Sequence, residues 1–196
     1  MSKPGERKQQ ILQILAEMLE APQAEKITTA ALAARVDVSE AALYRHFASK
    51  AQMYEGLIEF IETTLFSLIN RISADGTAGL EQARSIAQLL IGFVEKNRGM
   101  SRVLTGEVLV NENPRLQARV NQLLDRVEAS LRQSLRIAVS QGGVAEGLDA
   151  GVAANLIMAM VQGRWQQFVK SGFSRTPLDS WPAQWDLLLG GLTAPR

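Results

Sequence analysis

Thr28-Thr29-Ala30-Ala31-Leu32-Ala33-Ala34-Arg35-Val36-Asp37-Val38-Ser39-Glu40-Ala41-Ala42-Leu43-Tyr44-Arg45-His46-Phe47 is the most informative stretch of this 196-residue chain. Its spacing predicts two short helices broken at Asp37-Val38-Ser39, a helix-turn-helix whose second helix is offered to the major groove of DNA. Thr28 and Thr29 precede the first helix and Ser39 the second, and hydroxyl side chains are good helix openers because they accept a bond from an orphan backbone N–H. Small Ala30, Ala33 and Ala34 let the helices cross closely. Leu32, Val36, Val38, Leu43 and Phe47 supply a little core. The second helix reads as Glu40 through Phe47.

The residues left outside suit a DNA surface. Tyr44 and His46 can donate to phosphate oxygens. Thr28, Thr29 and Ser39 sit at helix N-termini, whose unpaired N–H groups also bind phosphate. Lys50 adds a charge just beyond, and Ala41 and Ala42 can pack on a thymine methyl. Glu40 either accepts from cytosine or is repelled by nearby phosphates. A plain pair of packed helices, with His46 merely solvated, fits the same pattern. Residues 1–53 hold seven basic and six acidic side chains, a local balance of only +1. Non-specific affinity for DNA is therefore expected to be weak and salt-sensitive.

Composition narrows the function classes. There is no cysteine, which excludes a thiol nucleophile, a disulfide framework and any Cys-based metal centre. The single histidine, His46, rules out a His₂ or His₃ metal site within one chain and falls inside the helix-turn-helix. Gln141-Gly142-Gly143 lacks the spacing and lysine of a phosphate-binding loop. No enzyme, metal or cofactor is expected. The net charge is +1 and hydrophobic residues make up 46%, enough to bury a real core. The segment Met1–Lys8 has no apolar run behind it, and Leu156–Val161 is far short of a membrane span. The expected location is the cytoplasm.

The rest of the chain keeps a helical period, with no convincing strand alternation and no internal repeat. The expected fold is all-α, with about nine helices. Ile11, Leu15 and Leu19 mark the first helix, closed by Pro22. A long helix runs from Lys50 to Asp75-Gly76, and another from Leu80 to near Asn97-Arg98-Gly99. A short helix around Ser101–Leu109 follows. Pro114 opens an arginine-rich helix carrying Arg115, Arg119, Arg126, Arg132 and Arg136, best read as a solvated face rather than a second DNA contact. Two further helices cover Asp149–Val169 and the region from Trp185, with Pro177 to Pro182 as a turn. The division expected is a small N-terminal unit over 1–50, which holds the helix-turn-helix, and a larger helical body over 51–196. Leu156, Met160, Trp165, Phe168, Trp185 and Leu188 are candidates for the dimer interface, as halves of a four-helix bundle about a two-fold axis. Reading heads so paired would sit about 34 Å apart.

Ser39 through Lys50, with its Tyr-Arg-His-Phe and Ser49-Lys50, resembles the recognition segment of TetR-type regulators, with Ala48 where many members have proline. The resemblance implies a homodimer on a palindrome and phosphate contacts from Tyr44, His46 and Lys50. Ile27–Ala30, Leu57–Glu62, Leu89–Asn97, Arg102–Gly106, Asn121–Glu128, Arg164–Phe173 and Trp185 extend it to the nucleoid-occlusion factors, an atypical branch of that family. This branch implies a DNA-bound dimer that engages the tubulin-like division protein FtsZ and blocks septum formation over the nucleoid. Phe60, Leu89, Gly92, Lys96 and Asn97 match its FtsZ-binding positions, with lysine where arginine is usual at 96 and no basic residue at Leu68. Gly92 allows close approach of a backbone, from a neighbouring helix or from an extended partner tail. Phe60 lies at the edge of the long helix's apolar face and Phe66 well off it, and Arg98 and Arg102 join Lys96 as attractors of an acidic tail. The competing reading is a transcriptional repressor released by a small apolar ligand.

Overall fold

The computed structural model describes residues 4–21 and 27–193. Pro22, read as the stop of the first helix, and Lys26, part of the charge balance, lie outside them. Among the described residues there are nine α-helices and no strand. They are α1 (Pro4–Met18), α2 (Thr29–Val36), α3 (Glu40–Tyr44), α4 (Lys50–Ala74), α5 (Gly79–Lys96), α6 (Arg98–Leu104), α7 (Pro114–Ser140), α8 (Ala150–Lys170) and α9 (Trp181–Thr193), with a 3₁₀ turn at Glu107–Leu109. The chain packs as two compact units, Met1–Glu62 with Asn97–Val120, and Thr63–Lys96 with Asn121–Arg196.

In the first unit α1 packs on α2 and α6, and α2 on α3. Ile11 and Leu15 of α1 join Leu32, Ala33, Val36, Leu43 and Phe47 in the core. Val38 is only half-buried, and Ala30 and Ala34 face solvent, so Ala33 alone provides the small buried residue at the crossing. Asp37 ends α2 in the left-handed conformation (φ 58°). The second helix is shorter than its sequence pattern predicts. It stops at Tyr44, and the chain tightens through His46 N–H to Leu43 O at 3.0 Å so that Phe47 can turn inward. Ser49 and Gln52 then open α4 reciprocally. The Gln52 N–H donates to Ser49 Oγ at 3.2 Å, and the Ala48 N–H to Gln52 Oε1 at 2.8 Å.

The segment read as one short helix is two pieces. Gly106, at φ 76°, separates α6 from the 3₁₀ turn because its left-handed backbone ends the helix. Gly99, read as a helix end, lies inside α6. A Cβ there would overlap the Ala16 carbonyl, so the glycine sets how closely α1 and α6 approach.

In the second unit α5 packs on α8, and the Trp165 Nε1–H donates to Leu90 O at 3.1 Å. Asp149 opens α8 by accepting from Gly151 and Val152 N–H at 2.7 and 3.1 Å. These N–H bonds, Val152 first, hold its carboxyl below the usual carboxylate range. Arg164 ties down the α8–α9 connection through Pro177 O at 2.5 Å, Gln184 Oε1 at 2.6 Å and the Asp179 carbonyl. The last helix starts earlier than expected, at Trp181, with Pro182 in its first turn, where a missing N–H costs nothing.

The dimer candidates divide. Trp165, Phe168 and Trp185 are buried in the chain's own core, so they do not form an exposed mating surface. The helical period puts Leu156 on the opposite side of α8 from Trp165. Leu156 and Val152 are exposed there, Met160 is half-buried, and Leu187 and Leu188 of α9 are exposed and half-buried.

Candidate nucleic-acid and partner surfaces

The caps at the reading face are formed. The Ala31 N–H donates to Thr28 Oγ1 at 3.1 Å, and the Ala42 N–H to Ser39 Oγ at 3.2 Å. Thr28 is therefore the N-cap, and Thr29 is already the first residue of α2. The Thr29 hydroxyl donates to Glu40 Oε2 at 2.7 Å, which links the N-termini of α2 and α3. Glu40 thus has an internal partner on one carboxylate oxygen, and the carboxylate keeps acceptor capacity for a contact with cytosine.

Tyr44 is 44% exposed. Ala41 is exposed beside it, and His46 is half-buried just past the helix. Arg45 is exposed as well and adds a cation that the motif reading passed over, because it stood between two residues with more distinctive chemistry. Behind this face Lys8 lies over the Phe47 ring at 5.6 Å.

Lys50 is not held out toward solvent. Its ammonium pairs with Glu112, on the connection from the 3₁₀ turn to α7, and lies 5.6 Å from the Tyr54 ring centre. Tyr54 is buried, and that burial, with the Glu112 carboxylate adding to it, pushes the phenol up to about 12.

The partner candidates fall in both units. In the first, Phe60 is 51% exposed, and with Leu12, Gln13, Asn97 and Met100 it lines an open groove of about 550 Å³. In the second, Leu89 and Gly92 are half-buried and Lys96 is exposed at the end of α5. A Cβ on Gly92 would meet only the Leu178 side chain, at 3.9 Å, so no neighbouring helix backbone uses the room it leaves. Phe66 is half-buried under the Arg126 guanidinium, 4.1 Å from its ring centre, and is no free contact. Arg102 is no tail attractor either. It is 2% exposed, with its guanidinium bonded to both Glu107 oxygens at 3.0 and 3.1 Å and to Ala21 O at 2.7 Å.

Two family models match the chain. One, described as bacterial regulatory proteins of the tetR family, covers residues 16–57. The other, described as a tetracyclin repressor-like C-terminal domain of SlmA-like type, covers residues 78–193. A nucleoid occlusion factor SlmA from Marinomonas sp. (strain MWYL1) is 45% identical over 195 residues, covering 100% of this chain and 99% of that protein. One from Shewanella pealeana is 48% identical over 182 residues, covering 93% and 92%. The chain belongs to the SlmA branch of the TetR family. Solved structures share the fold of this family member at lower identity. A TetR-family regulator from Agrobacterium tumefaciens has a TM-score of 0.79 at 18% identity, covering 98% of this chain and 100% of its own. The fatty acid degradation regulator FadR from Bacillus halodurans has 0.78 at 18%, covering 97% and 98%.

Proposed function

We propose that this protein is a nucleoid-occlusion factor: a homodimer that reads palindromic chromosomal sites and, while bound to them, antagonises FtsZ ring assembly, so that no septum forms over the nucleoid. The observation that carries this is the similarity to SlmA nucleoid occlusion factors at 45–48% identity across nearly the whole chain, residues 78–193 included. Residues 1–50 would be the reading unit and 51–196 the dimerisation and partner domain. Thr28, Thr29, Ser39, Glu40, Ala41, Tyr44, His46 and Lys50 would face DNA. Leu156, Met160 and Leu188, joined by Val152 and Leu187, would meet their symmetry mates.

Phe60 and Asn97, in the first unit, would hold the FtsZ tail, and Leu89, Gly92 and Lys96, in the second, are separate candidates for contact with it. The exposed Phe60 ring offers an apolar anchor, the open space at Gly92 admits an extended backbone, and Lys96 supplies charge for an acidic segment. A labelled peptide of the FtsZ C-terminal tail, titrated in the presence of a selected duplex, tests this. Phe60→Ala and Asn97→Asp are expected to weaken peptide binding about tenfold or more while duplex affinity holds, since an anchoring aromatic carries much of such an interface. Peptide binding unchanged in both variants would overturn the assigned surface. Equal loss of peptide and duplex binding would mean that the variants had misfolded.

A further inference from the structure

Lys50 extends the expected DNA contact beyond the recognition helix, yet its ammonium already has an anion. The Lys50–Glu112 side chains are largely covered, at 19% and 15% exposed, and the two residues lie 62 apart in sequence. The Glu112 backbone is fixed by its own N–H to Leu109 O at 3.0 Å, so its carboxylate is presented from a defined turn. Partial removal from water strengthens such a pair relative to an exposed one. The field of the carboxylate adds to burial in keeping the Tyr54 phenol protonated. A carboxylate oxygen accepting from a lysine ammonium makes the same charge-assisted bond that a DNA phosphate oxygen would make.

We propose that Glu112 is an intramolecular stand-in for DNA phosphate, which holds Lys50 in the DNA-free protein and gives it up on binding. Glu112 is then a positioning residue that acts through Lys50, and it lowers DNA affinity below what the reading face would otherwise supply. The proposal rests on the DNA-binding reading above. It adds that part of the binding free energy is spent on exchanging one anion for another. The exchange also carries DNA occupancy outside the helix-turn-helix, to the turn that leads into α7.

The test is a salt series of duplex titrations, random and selected, on wild type, Glu112→Gln, Lys50→Gln and the double variant. Glu112→Gln is expected to bind about two- to fivefold tighter at low salt, the range of a partly exposed ion pair. It is also expected to steepen the dependence of log K on log salt by about one. In the Lys50→Gln background the same change should leave the slope where it was. Alkaline titration of tyrosine absorbance provides a readout without DNA: the Tyr54 midpoint, raised by burial and by the Glu112 carboxylate, should fall in Glu112→Gln. Glu112→Asp, which keeps the charge but shortens its reach, should show part of the gain if Glu112→Gln proves unstable. Wild-type affinity and slope in Glu112→Gln, or weaker binding, would overturn the proposal. Failure of wild type to bind any duplex would instead overturn the DNA-binding reading on which it stands.

Discussion

Tyr44 is an exposed phenol on the outer side of α3, whose other side is anchored by Leu43 in the core. A phenol donates a hydrogen bond to phosphate without carrying charge, so its contribution is separable from that of the cations. Tyr44→Ala is expected to weaken binding to the selected duplex by about tenfold, the loss of one hydrogen bond and its packing. The salt slope should stay unchanged, because no counterion is exchanged. Matched-salt titrations check both, and an unchanged affinity would remove α3 from the reading face. The caps were legible at this scale because Thr28 and Ser39 act within three residues of themselves. Lys50–Glu112 and Arg102–Ala21 were not. Their partners, a carboxylate and a backbone carbonyl, lie 62 and 81 positions away, and no local pattern announces so distant a polar partner.

At the scale of elements, α1 and α6 meet through Gly99, where an added Cβ would overlap a backbone carbonyl instead of a side chain able to move. Gly99→Ala is expected to destabilise the first unit by about 3 kcal/mol, the upper part of the usual overpacking range. Thermal or urea unfolding measures it. A change below about 0.5 kcal/mol would show that the two helices can separate without loss. The positions of most helices were legible from the 3.6-residue period and from Pro114 and Asp149 at helix starts. Their ends were less so. α3 stops at Tyr44 because Phe47 has to enter the core, a tertiary demand, whereas α6 is closed locally by the left-handed backbone of Gly106. The faces of α8 were ambiguous for another reason. The helix is apolar on two sides, and sequence alone does not say that Trp165 and Phe168 fill the chain's own core while Leu156 remains outside.

For the molecule as a whole, the net charge of +1 argues against indiscriminate binding to nucleic acid and in favour of a reader that depends on specific contacts. The family was legible in the recognition segment together with scattered pieces of the body, and matches over 16–57 and 78–193 bear it out. In the proposed function, DNA-bound protein restrains FtsZ. The most direct measurement is light scattering of purified FtsZ assembling with GTP, with this protein added alone, with random duplex, and with a duplex selected against it. Strong suppression of polymers is expected only in the presence of the selected duplex. Undiminished polymers in every arm, with the selected duplex still tightly bound, would contradict it and point to a ligand-released repressor instead.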